Sequence, residues 1–304
     1  MGIYKIINKK LKYVEETNFK LEKEIQRMCE DNLEELFGLK VVKSEFVIQN
    51  FRIDTLAFNP KIKSFVVLEY KKDKNFSVID QGYAYLSLIL NNKADFVLAY
   101  NESTDEILKK DDIDWSQTKV IFVSPLFTVY QKQSISFKDL PIELWEMKKY
   151  KNNIVSINQI ESLGANATIN TLSGKNKKID SVSKGIKVYT EGEHLSVAKD
   201  NILELYEKLK ITILSLGNNI KIKPTKKYIG FISRTNFVDV CVQKKSLKIW
   251  LNLKKGELDD TKRLAIDVSQ KGHWGNGDYE IQIDNDENLD YLMGLIKQLF
   301  MKSS

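Results

Sequence analysis

Two apolar runs separated by a short segment constrain the fold of the N-terminal half most strongly. The first run is FRIDTLAFN at residues 51–59, the second is SFVVLEYKK at residues 64–72, and Pro60 lies between them. Both have the length and the residue types of β-strands, and Pro is common in turns but rare inside a sheet. We therefore expect the two runs to be neighbouring strands that can pair as an antiparallel hairpin.

Three charged residues occupy positions in these runs where strands usually carry apolar side chains. Successive side chains of a strand point to opposite faces, so Glu69 and Lys71 share one face. In an antiparallel hairpin Asp54 projects near Glu69. Burying such charges is unfavourable unless they are paired or bind a metal. The alternative is an ion pair on a solvated sheet face, which would contribute little stability and explains less of the pattern.

The chemistry of two carboxylates and a lysine is well defined. Mg²⁺ is usually held by one or two carboxylates together with water and phosphate oxygens. A neighbouring lysine can orient an attacking water or offset negative charge that develops on a phosphate. Water bound to a metal ion has a lowered pKa and supplies a nucleophile near neutral pH. The pattern thus indicates metal-dependent hydrolysis.

The surrounding elements predict a mixed α/β domain with a central sheet. A helix is expected over residues 18–38, starting at Asn18 and ending at Gly38, with Glu22, Gln26 and Glu30 on its polar face. A second helix is expected at VIDQGYAYLSLILNN. The other predicted strands are one or two within residues 1–16, KVVKSEFVIQ, ADFVLAYN, KVIFVSP and IELWEMKKY.

The order Asp54, a hairpin, then Glu69-x-Lys71 resembles the signature of the PD-(D/E)XK nuclease superfamily. The helix that follows adds Gln81 and Tyr85, four residues apart on one face. This pair resembles the Gln-x-x-x-Tyr motif of the branch that contains the RecB-type and archaeal mismatch-type endonucleases. Ile53 replaces the Pro that precedes the Asp in the family pattern. The resemblance implies a restriction-endonuclease-like N-terminal domain.

The same resemblance implies a function. It predicts a deoxyribonuclease that depends on Mg²⁺ or Mn²⁺, with DNA as partner and a role in DNA repair or defence. Asp54, Glu69 and the main-chain carbonyl of Tyr70 would hold the metal, and Lys71 would act on the water or the phosphate. Gln81 and Tyr85 would support the site. The alternative is a catalytically silent protein of this fold that binds nucleic acid or another partner.

Relatives of this type often contribute one more acid from the preceding helix. Glu22, Glu24 and Glu30 all qualify by position. Glu30 is our tentative choice, because it shares the polar stripe and precedes NLEELFG, a run similar to that of the relatives.

Composition limits the other possibilities. Two histidines exclude a His-rich zinc site, and two distant cysteines are expected to be buried and reduced, which favours a cytoplasmic location. No stretch approaches the ~18–20 apolar residues that span a bilayer. The net charge of +6 is compatible with a polyanionic partner. The sequence is compatible with a homodimer but does not establish one.

The chain divides into a nuclease-like domain at residues 1–158, a linker at 159–190 and a small α+β domain at 191–304. The last part resembles a domain of unassigned function found behind nucleases, in proteins sometimes labelled as transport proteins. We expect its HWGNGD stretch, with His273, to be a structural turn. KIKPTKKYIGFISR and QKKSLKIWLNLKK interleave basic and aromatic residues. They fit either a sheet that contacts nucleic acid or strands with solvated lysines.

Overall fold

The computed structural model describes residues 2–73, 76–137, 140–160 and 185–303. Residues 161–184, most of the predicted linker, lie outside the described residues. The chain forms two compact units, Met1–Lys187 and Val188–Ser304. Each is described by itself.

The N-terminal unit alternates strands and helices. Its strands are β1 Tyr4–Ile7, β2 Lys10–Tyr13, β3 Glu16–Thr17, β4 Lys40–Ile48, β5 Phe51–Asn59, β6 Ser64–Tyr70, β7 Lys119–Ser124, β8 Ile142–Tyr150 and β9 Ile154–Ile160. Its helices are α1 Glu22–Glu30, α2 Leu33–Phe37, α3 Val78–Asn91, α4 Lys93–Ser103 and α5 Val129–Ser134. Strands β1 and β2 form a separate hairpin.

A mixed sheet lies at the centre of this unit, in the order β3-β8-β7-β6-β5-β4, with β9 also paired to β8. The pairs β4–β5 and β5–β6 are antiparallel, whereas the pairs β6–β7 and β7–β8 are parallel. One face packs against α3 and α4 through residues such as Leu86 and Phe96. The other face packs against α1 through Ile25 and Cys29. The predicted mixed α/β domain with a central sheet flanked by helices is therefore confirmed.

Two of the predicted elements were wrong in type or extent. ADFVLAYN, expected as a strand, is part of α4, in which Phe96, Ala99 and Tyr100 are buried. Their spacing of three and four is helical, and an apolar run this short is ambiguous between the two structures. The helix expected over residues 18–38 begins only at Glu22 and is interrupted between α1 and α2. Its predicted end is confirmed, because Gly38 takes the left-handed conformation (φ 65°) after α2.

The C-terminal unit is rich in β-structure. Its strands are β10 Lys221–Pro224, β11 Ile229–Ile232, β12 Asn236–Val242, β13 Leu247–Leu251, β14 Ile266–Asp267 and β15 Tyr279–Ile283. Its helices are α6 Glu191–Leu195, α7 Asp200–Leu214 and α8 Leu289–Ser303.

The strands of this unit form an antiparallel sheet in the order β10-β11-β12-β13-β15-β14. Helices α7 and α8 bury their apolar sides against one face of it, in a core that includes Tyr206, Ile249 and Ile296. A smaller buried cluster, with Tyr228 and Trp250, lies apart from that core. Among the described residues of both units, no helix is long and apolar enough to cross a membrane.

Candidate active site

The pairing of β5 with β6 positions the two acidic residues of the hairpin. Thr55 lies opposite Leu68 in this antiparallel pair. One further step in the same register brings Asp54 opposite Glu69, at the end of the ladder. Because side chains alternate along a strand, both acids lie on the sheet face that packs against α3.

Glu69 is buried, with 3% of its surface exposed, and three side chains donate hydrogen bonds to it. Oε1 accepts from Lys71 Nζ and from Gln81 Nε2, both at 2.7 Å. Oε2 accepts from the Tyr85 hydroxyl at 2.9 Å. A buried carboxylate must have its oxygens satisfied, and here one cation and two neutral donors do so.

The two neutral donors, Gln81 and Tyr85, lie on helix α3. Ser77 caps its N-terminus by accepting a hydrogen bond from the Asp80 amide, so the helix starts at a defined residue. Gln81 and Tyr85 then fall one turn apart on the face toward β6, and Gln81 Nε2 lies 3.2 Å from the Tyr85 hydroxyl. Burial and the negative charge of Glu69 raise the pKa of Tyr85, so its hydroxyl stays protonated and remains a donor.

Asp54 is partly buried beside this group. Its Oδ2 accepts a hydrogen bond from the main-chain amide of Tyr70 at 3.0 Å. Burial and the negative charge of Glu69 raise the pKa of Asp54 to about 6, although the Tyr70 amide and the Lys71 ammonium act in the opposite direction. The two carboxylates therefore repel each other in a setting poor in water.

Lys71 retains its proton at neutral pH. Burial lowers the pKa of its ammonium, but the hydrogen bond and the charge of Glu69 outweigh burial, and the net effect is a raised pKa. Asp54 and Glu22 add to this effect. A lysine held in this state is a cation and a hydrogen-bond donor rather than a proton acceptor.

The structure does not bring Glu30, our tentative helix acid, to this group. Its Oε1 accepts from the Thr55 hydroxyl at 2.5 Å and from Gln26 Nε2 at 3.0 Å. Thr55 follows Asp54 in β5, and consecutive strand side chains point to opposite faces. Glu30 therefore lies on the α1 side of the sheet, away from the carboxylate of Asp54.

The two other helix acids differ in position. Glu22 Oε1 accepts from the main-chain amide of Lys72 at 2.9 Å, directly after Lys71. Glu24 instead pairs with Lys149 Nζ at 2.6 Å, on strand β8. Of the three candidates, Glu22 is the one that contacts the strand end carrying the site.

Gln26 is a residue whose role the sequence reasoning missed. We expected it on an exposed polar stripe, yet it is 3% exposed. Its Nε2 lies 2.9 Å from the main-chain oxygen of Asp54 and 3.2 Å from Ser44 Oγ. It thus connects α1 to the backbone of the acid-bearing strand. The available signal was a polar residue that directly follows Ile25 and precedes Cys29 by three positions, which is too weak to show burial.

The donor set of the two carboxylates suits a hard divalent cation. Within the described ranges, no group of three or more His, Cys, Asp or Glu side chains could hold a metal ion. Asp54 and Glu69 are the two acids at the end of the hairpin, and burial together with the negative charge of Glu69 raises the pKa of Asp54. A cation between them would remove their repulsion, and phosphate and water oxygens commonly complete such a shell.

Comparison with known proteins finds similarity over parts of the chain. Residues 191–303 match a domain of unknown function, DUF5655. A repair endonuclease from Pyrococcus abyssi aligns with 43% of this chain and 50% of its own length, at 19% identity. The TM-score of 0.24 is too low to support a structural conclusion.

A much closer similarity extends along almost the entire chain. An uncharacterized protein of Haemophilus influenzae is 49% identical over 298 residues, which cover 98% of this chain and 99% of that protein. This chain therefore belongs to the same protein family as the Haemophilus influenzae protein.

Proposed function

We propose that this chain is a metal-dependent nuclease that hydrolyses phosphodiester bonds in DNA. The observation that carries the proposal is the arrangement around Glu69. A buried carboxylate, a second carboxylate at Asp54 and a protonated Lys71 meet at the end of one hairpin. An ion pair kept only for stability would not need the second acid, whose burial beside Glu69 is unfavourable.

Each residue has a role in this proposal. Asp54, Glu69 and the main-chain carbonyl of Tyr70 would hold the cation, Mg²⁺ or Mn²⁺. When bound, such a cation supplies a Lewis acid for a phosphoryl oxygen and makes water more acidic. Lys71 would place its positive charge against the phosphate and donate a hydrogen bond to the attacking water or to a phosphate oxygen.

Gln81 and Tyr85 would act on Glu69 rather than on the substrate. Each donates a hydrogen bond to a different oxygen of its carboxylate, so the group cannot rotate without losing a bond. A carboxylate that is fixed before the substrate arrives loses less entropy in the reaction.

The decisive experiment compares wild type with Asp54→Asn on single-stranded, duplex and branched DNA. We expect cleavage by wild type with Mg²⁺ or Mn²⁺, none with EDTA, and none by Asp54→Asn under any of these conditions. Equal cleavage by the two proteins would refute the proposal. Binding without cleavage under both metals would favour a catalytically silent binding protein.

A further inference from the structure

The loop that contains HWGNGD is fixed to the sheet of the C-terminal unit. Asn276 donates two hydrogen bonds to Oδ2 of the fully buried Asp239, from its main-chain amide at 2.9 Å and from Nδ2 at 2.7 Å. Nδ2 also lies 2.8 Å from the Tyr228 hydroxyl. Breaking these hydrogen bonds would leave a buried polar group unsatisfied, so the loop is held in one conformation.

Two glycines allow the loop backbone to lie directly on β13. A Cβ atom at Gly277 would be 1.7 Å from the carbonyl oxygen of Leu251. One at Gly275 would be 2.3 Å from the ring of Trp250. Neither position has room for a side chain, because the loop is packed against the strand beneath it. The ring of His273 stacks over Trp250 with centroids 6.5 Å apart, which agrees with a structural part for this histidine.

This fixed loop presents an indole to solvent. Trp274 is 56% exposed, in contrast to Trp250, which is 2% exposed. The ammonium group of Lys227 lies 4.5 Å from the centre of the Trp274 ring. Most tryptophans in folded proteins are largely buried. An exposed tryptophan on a rigid loop leaves its apolar ring in water and does not contribute the stability that burial of the ring would give.

Exposed lysines accompany Trp274 in two stretches of the chain, and Lys227 is the one in contact with its ring. Lys226 and Lys227 are exposed in the turn between β10 and β11, and the stretch KIKPTKK at residues 221–227 contains no acid. Lys271 is exposed in the loop itself, three residues before Trp274, and the acid of HWGNGD, Asp278, accepts a hydrogen bond from the main-chain amide of Lys255 at 2.8 Å. The partner of this surface should therefore carry negative charge and a flat group able to stack on an indole.

We propose that Trp274 and Lys227 form a binding site for single-stranded nucleic acid. Unpaired bases stack on aromatic side chains, and lysines contact the adjoining phosphates. Duplex DNA offers the lysines its phosphates but keeps the faces of its bases within the stack. An acidic peptide offers charge but no flat ring at each step. Single strands match both features of the surface.

The site does not depend on the proposed hydrolysis at Asp54 and Glu69. It can be tested with the full-length protein in EDTA, where no cleavage takes place. The probe is a fluorescein-labelled single-stranded DNA of about 20 nucleotides, longer than the ~4–16 nucleotides of a typical binding site. Fluorescence anisotropy gives the affinity at several salt concentrations.

Three variants separate stacking from charge. Trp274→Ala should weaken binding roughly 5- to 150-fold, the value of one base stacked on an aromatic ring. Trp274→Phe should bind close to wild type, because it keeps a ring. Lys227→Ala should reduce the slope of log affinity against log salt by ~0.7, as expected for one phosphate contact on a single strand. Lys297→Ala, on the exposed side of α8, is the control and should change neither quantity.

Thermal unfolding of Trp274→Ala should match wild type, since the side chain is exposed. Equal affinity of Trp274→Ala and wild type for the oligonucleotide would overturn the proposal. So would an equal loss of binding to polyglutamate in the same variant, because polyglutamate has charge without bases. If the wild type cuts no DNA but still binds the oligonucleotide through Trp274, the proposed function fails and this site stands.

Discussion

The Tyr85 hydroxyl donates a hydrogen bond to Glu69 Oε2 at 2.9 Å, and so joins the middle of α3 to the end of β6. The same hydroxyl lies 3.4 Å from the main-chain oxygen of Arg52, in β5. One phenol group therefore contacts both strands that carry the acids. Its loss should affect the position of Glu69 without removing any charge.

Tyr85→Phe should lower cleavage roughly 10- to 100-fold, the usual effect of removing a group that orients a metal ligand. It should also cost about 1 kcal/mol of unfolding free energy for the lost hydrogen bond. Tyr100→Phe is a matched control, because its hydroxyl donates to Glu106 at 2.8 Å elsewhere in the same unit. We expect a similar loss of stability and full cleavage. An equal decrease of cleavage in both variants would contradict the proposal that the Tyr85 hydroxyl positions Glu69.

Lys71→Ala should abolish cleavage, because the cation that faces the phosphate is lost. It should also destabilise the protein by about 1–3 kcal/mol, since the buried Glu69 loses its charged donor. Lys119→Ala breaks a partly buried pair, in which Lys119 Nζ lies 2.6 Å from Glu143 Oε1 and the carboxylate is more exposed than that of Glu69. Chemical denaturation should show losses of the same order in both, and only Lys71→Ala should be inactive. Retained cleavage in Lys71→Ala would remove this lysine from the mechanism.

Asp54 makes stability depend on pH in a defined direction. Its pKa is about 6 in the folded protein against an ordinary value of 3.8, so the folded state binds the proton more tightly than the unfolded chain. The contribution of Asp54 to the unfolding free energy should therefore be greatest below pH 4. It should decrease as the pH rises through 6. The full effect is on the order of 3 kcal/mol, at about 1.4 kcal/mol for each pKa unit.

Urea denaturation of wild type and Asp54→Asn at pH 5 and pH 8 checks this effect. The amide cannot ionise, so the variant should be at least as stable as wild type at pH 8 although it is inactive. The difference in unfolding free energy between the two proteins should shrink at pH 5. A variant that is less stable than wild type at pH 8 would show that the Asp54 charge is favourable in the folded state.

Glu30→Gln tests the location of the helix acid. Glutamine keeps a side-chain oxygen that can accept from Thr55, and position 30 lies on the α1 side of the sheet. We expect cleavage within about threefold of wild type, whereas Glu22→Gln, next to Lys72, should lower it about tenfold by disturbing the strand end. Initial rates at saturating Mg²⁺ measure both. A larger loss of cleavage in Glu30→Gln than in Glu22→Gln would identify Glu30 as the helix acid of the site.

Strand parity was sufficient to predict which charged residues share a face. Glu69 and Lys71 are two residues apart, and the structure joins them by a hydrogen bond of 2.7 Å. Helical spacing likewise predicted that Gln81 and Tyr85 lie on one side of α3. Both predictions rest on side-chain periodicity, which depends only on the secondary structure of the segment itself.

Features that depend on tertiary packing were not predictable in this way. Periodicity relates Glu22, Gln26 and Glu30 to one another, but it does not say which side of the sheet α1 covers. The burial of Gln26 follows from the approach of α1 to β5, where Asp54 needs a donor for its main-chain oxygen. The helix at residues 93–103 was missed because its apolar run fits a short strand equally well.

All the groups of the candidate site come from one stretch of chain, residues 54–85. The hairpin of β5 and β6 and the helix that follows it hold these groups by contacts that are close in sequence. Contacts between near neighbours form early in folding, because they close only short loops. The contacts among these side chains can thus form early, and the hydrogen bond from the Lys71 amide to the Val123 carbonyl, at 3.0 Å, then joins them to β7. The remainder of the unit can then change in sequence and in surface shape while the segment at residues 54–85 keeps its arrangement.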